Sequence, residues 1–321
     1  MFVNSINTNF RIIRGGIGMK QNKVIISGIL LFIAIAIVIF IGKQLYLAKE
    51  ILIKEFEQPI ILETADLYSE VTFLIEAERE RVILDLNEKG TEKMFPASMT
   101  KMMTAIVAIE NLESLEENIF IEPEIFAELQ AQGAAMAGFV PGSYATARDL
   151  LYGIMLPSGG EATLAIARAV GGSVDGFVEL MNKKAHDLEL KNTHFTNPIG
   201  LHHENHYTSA TDLTKILRYA LQNEYFYEMF SAQRHTTGFG AGFTITSTLF
   251  RHLTPEQILE SGIIGGRTGF TFEAGRCLIT LAEINGKTYI LVTGGAIDSY
   301  DNQLHHIQDA LNIFQQLRGI H

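Results

Sequence analysis

The sequence predicts an α/β chain of the α+β kind: one antiparallel sheet flanked by helices, a helical subdomain beside it, and one apolar helix ahead of both. Three observations carry this. β-Rich runs stand early in the body of the chain, in VTFLIEAERERVILDLN (residues 71–87), and late, in CLITLAEINGKTYILVTGGA (277–296), with helical patterns between. Strands at both ends of a helical stretch place those ends in one shared sheet. An uncharged run, VIISGILLFIAIAIVIFIG, precedes everything else.

That run covers residues 24–42 and, at about 1.5 Å per residue, spans roughly 28 Å, the thickness of a bilayer's hydrocarbon core. It is expected to be an uncleaved transmembrane anchor, because it exceeds a usual signal-peptide core and no A-x-A site follows it. Arg11, Arg14, Lys20 and Lys23 lie ahead of it with no acidic residue among them, whereas Lys43, Lys49 and Lys54 are diluted by Glu50, Glu55 and Glu57. This asymmetry predicts a single-pass topology with residues 1–23 as a cytoplasmic tail and the rest outside. RGGIGMK can be encoded by a purine-rich run that resembles a ribosome-binding site ahead of the Met19 codon, so Met19 is expected to be the true start and residues 1–18 no part of the native protein. Residues 43–65 read as a stalk and 66–321 as the main folded domain.

Within that domain the 71–87 stretch is a hairpin signature, two short β-rich runs around a charged turn. FPASMTKMMTAIVAIE (95–110) repeats apolar residues at three- and four-residue intervals, which predicts a buried helix starting near Ala97. A Pro-Gly turn at Pro141 leads to Thr146, the expected N-cap of a helix holding Leu150, Leu151 and Ile154. Helices are expected over 161–170 and 174–188. Asn285-Gly286 between alternating apolar runs predicts a tight hairpin, and a last helix is expected from about Asn302 to Leu317. The sequence contains neither a repeat nor a low-complexity tract.

Composition narrows the function. The chain has 321 residues, 47% hydrophobic and 19% charged, with a formal net charge of −11 and no lysine- or arginine-rich run. It lacks the basic footprint that a nucleic acid requires. A single cysteine, Cys277, excludes an internal disulfide and a cysteine-based zinc cluster.

Lys101 is the residue that stability does not explain. A helix N-terminus carries partial positive charge and favours acidic residues, so a lysine one turn after Ser98 has the wrong sign. A serine hydroxyl, however, becomes a nucleophile when a base takes its proton, and Lys101 lies on the same helix face within reach. Burial, the helix dipole and a nearby cation would each favour the neutral amine, as a general base requires.

Two further motifs follow in order: PSGGEA, with Ser158, Gly159 and Gly160, and GGRTGFTFEAGRCL, with Arg267, Thr268, Gly269 and Phe270. With Ser98-Met99-Thr100-Lys101 they resemble the S-x-x-K, S-x-N and K-T-G series of the penicillin-recognising serine enzymes. FPASMTKMMTA, VPGSYATARDLLYGIMLPSG, NPIGLHHENHYTSATDL and RTGFTFEAGRCL resemble the serine-type D-alanyl-D-alanine carboxypeptidases (the S11 peptidases) over roughly residues 66–316. The resemblance implies the penicillin-binding DD-peptidase/β-lactamase-like fold and an acyl-enzyme hydrolysis of peptidoglycan stem peptides ending in D-Ala-D-Ala. β-Lactam antibiotics would acylate the same serine, and no cofactor is needed. It implies Ser98 as nucleophile, Lys101 as base and Ser158 as proton relay. Arg267 would bind the substrate carboxylate from an edge strand, Thr268 would add a hydroxyl, and the N–H groups of Ser98 and Phe270 would form an oxyanion hole. The family often has a C-terminal β domain and amphipathic anchor; here the N-terminal helix is expected to replace that anchor.

Two departures stand out. Gly160 replaces the usual asparagine, removing an amide that would hold the substrate and leaving space for a differently shaped one. Arg267 replaces the usual lysine. The first departure keeps a catalytically weak penicillin or muropeptide sensor as an alternative; a β-lactamase is a further one, against which stands the lack of a second carboxylate base in a loop after Ser158. His202, His203 and His206 invite a zinc reading, but no H-E-x-x-H pattern is present, and a loop beside the active site is expected instead. Cys277 is expected to be a buried strand residue.

Overall fold

The computed structural model describes residues 29–48, 59–238, 240, 242–297 and 304–320. The chain divides into two units, residues 1–60 and 61–321. In the first, α1 (Ile29–Ala48) is a helix of 20 residues with mean hydropathy 2.4 and none of its residues buried. It runs six residues past Gly42 into the expected stalk, since Lys43 is a good helix former and does not end it. Residues 24–28 of the expected span lie outside the described residues.

The second unit begins earlier than the expected boundary at residue 66. Glu63 N–H donates to Gln316 Oε1 at 2.7 Å and its carbonyl accepts from Gln316 Nε2 at 3.0 Å. The backbone N–H of Ser69 donates to buried Asp309 at 2.9 Å. The end of the stalk is therefore stitched to the last helix and belongs to this unit.

The sheet order is β2-β1-β9-β8-β7, all antiparallel, built from β1 (Val71–Glu76), β2 (Arg81–Asp85), β7 (Ile263–Thr271), β8 (Gly275–Ile284) and β9 (Lys287–Ala296). The two ends of the chain do share one sheet. The β8–β9 turn has Asn285 at φ 52° and Gly286 at φ 73°, the left-handed pair that a two-residue hairpin demands. Residues 277–282 of β8 are buried without alternation, so both faces of the sheet are covered. α10 (His305–Gly319) packs on β8 and β9, and starts at His305; residues 302–303 of its expected start lie outside the described residues.

The helical subdomain surrounds α2 (Lys101–Asn111), which touches α4 (Ala147–Met155), α5 (Gly160–Gly171), α6 (Val174–Asp187), α7 (Ala210–Ala220) and α8 (Glu224–Ser231). Thr146 caps α4 as expected, accepting from the Asp149 N–H at 3.1 Å. The sequence pattern did not reveal two small hairpins, β3 (Asn118–Ile121) with β4 (Ser143–Thr146) and β5 (Arg234–Thr236) with β6 (Thr244–Thr246). Strands of three or four residues are too short for period-2 alternation to emerge. α3 (Glu124–Ala131) follows β3, and α9 (Pro255–Ser261) precedes β7 behind a capping box at Thr254.

Candidate active site

Two elements meet at the site. The expected helix start at Ala97 is instead a 3₁₀ turn, Ala97–Thr100, with α2 proper starting at Lys101. The turn lies against edge strand β7. Gly269 makes this approach possible: a Cβ there would stand 3.0 Å from Ser98 N and 3.2 Å from Pro96 O. From the other side Gly200, at φ 88°, passes so near Ala97 O that a Cβ would overlap it. Ala97 itself is held at φ 45°, the left-handed region that a Cβ disfavours. The nucleophile candidate thus sits on backbone squeezed between two glycines.

Lys101 follows from the packing of α2. Every residue from Lys101 to Ala108 is buried, so the amine has no water to face. Its Nζ lies 3.3 Å from Ser98 Oγ and donates to the Ile199 carbonyl at 2.6 Å. Burial, and secondly the Arg267 guanidinium, hold its pKa well below the ordinary lysine value; Glu161 pulls the other way.

Ser158 lies in the turn between α4 and α5, at φ 72° and 7% exposed. Its hydroxyl donates to Ser98 Oγ at 2.9 Å and accepts from Arg267 Nη2 at 2.7 Å. Ser98, Lys101, Ser158 and Arg267, from three separate stretches, thus form one hydrogen-bonded chain.

Arg267 differs from the expectation. It is on the edge strand, but fully buried, and all three guanidinium nitrogens donate within the protein: Nη1 to Met155 O at 2.9 Å, Nε to Ser98 O at 3.2 Å, and Nη2 to Ser158. Three of its five N–H donors are thus engaged inside the protein, and the side chain does not line the cleft. Thr268 is half-buried and donates its hydroxyl to Thr248 Oγ1 at 2.7 Å.

Position 160 also departs from the expectation. A Cβ there would meet Leu129 Cδ2 at 2.9 Å and Ala135 O at 3.3 Å, and the Gly160 N–H already donates to Ala135 O at 2.7 Å. The glycine leaves no vacancy, because Leu129 of α3 and the loop after that helix fill the volume a side chain would take. Glu161 anchors that loop. It is fully buried, and its Oε1 accepts from the N–H groups of Ala137, Gly138 and Phe139 at 2.7, 2.8 and 3.2 Å.

The three histidines part company. His206 Nδ1 accepts from the Thr196 N–H at 3.1 Å, so Nε2–H donates to Thr100 Oγ1 at 2.8 Å and pins the turn beside Ser98. Burial above all, then its neighbouring histidines and Lys101, holds its pKa near 3, so it is neutral. His202 packs edge-on against Phe95, and His203 accepts from the Asn205 N–H. Cys277 is buried in β8, and burial raises its thiol to about 11.

These groups open into a cleft of about 560 Å³, walled by Gln132–Ala135 on one side and by Thr268–Glu273 with Arg251 on another. A larger hollow of about 770 Å³ lies by Arg168 and Asp175 at the far end of α5, without a lysine beside a serine, so volume alone does not select the site. Glu161, Arg251, Thr248 and the Ile199 carbonyl were not singled out in the sequence. Only Glu161 carried a signal, as the one acidic residue of a mostly apolar helix.

A buried lysine and a second serine converging on a serine, under an antiparallel edge strand, define the class of the penicillin-recognising serine enzymes. The sequence pattern of Peptidase S11, D-alanyl-D-alanine carboxypeptidase, matches residues 58–297, and the chain belongs to that family. It is 31% identical over 237 residues to the D-alanyl-D-alanine carboxypeptidase DacF of Bacillus subtilis, covering 73% of this chain and 59% of that one. It thus spans about three fifths of that relative's length. It is 34% identical over 203 residues to the D-alanyl-D-alanine carboxypeptidase of Streptomyces sp. K15, covering 60% of this chain and 69% of that one. Among solved structures, the Streptomyces K15 DD-transpeptidase superposes with a TM-score of 0.71 at 27% identity, covering 80% of this chain and 98% of that one. The Mycobacterium tuberculosis D-alanyl-D-alanine carboxypeptidase gives 0.70 at 25%, covering 83% and 97%.

Proposed function

We propose that this chain is a membrane-anchored serine D-alanyl-D-alanine carboxypeptidase that removes the terminal D-alanine from peptidoglycan stem peptides and is acylated by penicillins. The observation that carries it is the buried Lys101 amine 3.3 Å from Ser98 Oγ. With its charge disfavoured, the amine accepts the Ser98 proton as Oγ attacks the carbonyl of the penultimate D-alanine. The oxyanion forms against the N–H groups of Ser98 and Phe270, a reading supported by the close passage of Gly269 at the Ser98 nitrogen. Ser158 hands the proton to the leaving nitrogen, D-alanine departs, and water hydrolyses the ester.

Arg267 acts from behind. It orients Ser158 and helps keep Lys101 neutral. The substrate's carboxylate is then taken by Thr268 and Thr248 with Arg251, which is exposed at the same end of the cleft. The apolar α1 supports an anchor, and the basic residues before it support a cytoplasmic N-terminus with the catalytic unit outside the membrane.

The test is release of D-alanine from diacetyl-L-lysyl-D-alanyl-D-alanine, with fluorescent-penicillin labelling of wild type against Ser98→Ala. Release and a stable label, both lost in the variant, are expected. Labelling without release would indicate a sensor, rapid loss of label a β-lactamase, and labelling of Ser98→Ala would refute the assignment of the nucleophile.

A further inference from the structure

A peptide lying along β7 offers that strand only one of its edges. On the reading above, on which this inference rests, the scissile carbonyl points at the Phe270 N–H, so the backbone groups of the acyl-donor D-alanine face β7. Residues of an extended chain turn their N–H and C=O alternately to opposite sides. The N–H and C=O of the residue before that D-alanine therefore point away from β7, toward the wall of the cleft that Gln132–Ala135 form. Taken out of water there without a partner, they would weaken binding.

One side chain on that wall can answer them. The other three residues are Gly133, Ala134 and Ala135, whereas Gln132 is exposed to the cleft, and among the described residues its side-chain amide bonds to no other group. Gln257 and Gln316, by contrast, use theirs on a helix cap and on Glu63. The position of Gln132 is fixed from behind. It ends α3, its N–H donating to Glu128 O at 3.1 Å, and the chain then turns at Gly133, at φ 64°. The Ala134 N–H donates to Leu129 O at 3.0 Å, and Ala135 O accepts from the Gly160 N–H at 2.7 Å. Glycine at 160 is what admits this packing, because a Cβ there would press on Leu129 and Ala135 O. The residue that withholds a side chain from the second motif thus seats Gln132 on the cleft wall.

We propose that Gln132 binds the substrate backbone one residue ahead of the acyl-donor D-alanine, Nε2 donating to that residue's carbonyl and Oε1 accepting its N–H. A carboxamide carries donor and acceptor side by side without charge, as a peptide unit does. Because the backbone beneath it is held, only the side chain itself is ordered on binding. In a penicillin the corresponding group is the acylamino carbonyl on the ring carbon next to the β-lactam carbonyl. Gln132 grips it in the same way, reading the backbone of the ligand and not its side chains.

The experiment uses the full chain in detergent and two β-lactams, benzylpenicillin and 6-aminopenicillanic acid, which lacks the acyl carbonyl. Acylation rates are read by competition with a fluorescent penicillin. Gln132→Ala and Gln132→Met are each expected to slow benzylpenicillin about 5- to 150-fold, as for loss of a hydrogen bond to substrate, while leaving 6-aminopenicillanic acid unchanged. Release of D-alanine from the diacetyl tripeptide falls by the same order, and Tm does not move, since the side chain is exposed. Both β-lactams slowed alike would mean that Gln132 acts through its loop. Benzylpenicillin slowed by neither variant, or by the alanine alone, would mean that the amide holds nothing. Each of these results overturns the inference and leaves the carboxypeptidase intact. A wild type acylated by neither compound would overturn the penicillin-recognising reading and the inference together.

Discussion

Asn285 and Gly286 have positive φ, and both residue types accept it. Ala97 and Ser158 also have positive φ, at 45° and 72°, and neither type does. The two regions solve the same backbone problem oppositely. In the β8–β9 hairpin residue, turn and sheet agree, so the local sequence specifies the structure unaided. Around Ser98 every local rule is broken: a lysine and an arginine are buried, and two residues with a Cβ are held left-handed. Such disagreement persists only where surrounding packing imposes it, here Gly200 and Gly269 pressing on the Ala97–Ser98 backbone. Glu80, Glu88 and Glu189 are left-handed too, so what distinguishes this region is the strain together with the buried charges.

The sharpest way to break this comparison is Ser158→Gly set against Asn285→Gly. Removing the Ser158 hydroxyl deletes the link between Ser98 and Arg267, and D-alanine release is expected to fall about 10²- to 10⁴-fold, as for loss of a general acid–base. The same change relieves a left-handed residue, worth about 1–2 kcal/mol, less about 0.5–1 kcal/mol for glycine's extra unfolded-state entropy. The variant also leaves the buried Arg267 Nη2–H without its acceptor, at a cost of about 1–3 kcal/mol, so Tm should not rise but should lie above that of Ser158→Ala, which loses the same bond and keeps the strained backbone. Asn285→Gly should alter neither quantity appreciably. A Ser158→Gly protein no more stable than Ser158→Ala would show that the backbone there is unstrained.

A smaller effect is expected from Gly160→Asn, which restores the family's usual residue. The expectation of an open space beside the substrate would predict faster turnover. The packing predicts otherwise, since the new Cβ would press on Leu129 and Ala135 O. Overpacking of this kind costs about 1–3 kcal/mol, seen as a lower denaturation midpoint without faster release. Faster turnover at unchanged stability would show that the loop yields readily.

How much of this was legible follows from where each signal lies. The hairpins at residues 71–87 and 285–286 and the helices after Ala97, Thr146 and Val174 were legible because their periodicities are local. Ser98, Lys101 and Ser158 were legible from motifs. The engagement of Arg267 was not, because its partners Ser98, Met155 and Ser158 are more than 100 residues away. Nor was the filling of the space at Gly160, which depends on how the chain from Leu129 to Ala135 folds back. A single position reports the residue, not what the fold lays against it.

Glu161 tests the electrostatic half of the contrast. Acylation requires the neutral Lys101 amine, so kcat/KM should rise with pH through the Lys101 pKa and level off above it. Burial and Arg267 lower that pKa, while Glu161, the opposing charge, raises it. Glu161→Gln removes the negative charge, and its amide oxygen can still accept from Ala137, Gly138 and Phe139. The charged lysine loses support, its pKa drops further, and the acidic limb of the profile moves to lower pH, by about one unit or less for a charge not in direct contact. The measurement is kcat/KM for D-alanine release across pH in wild type and variant, with Tm as the control for the loop. A limb moving to higher pH would mean that the titrating group is not the lysine. An unmoved limb would mean that Glu161 serves the loop alone, and that burial and Arg267 suffice to keep the amine at position 101 uncharged.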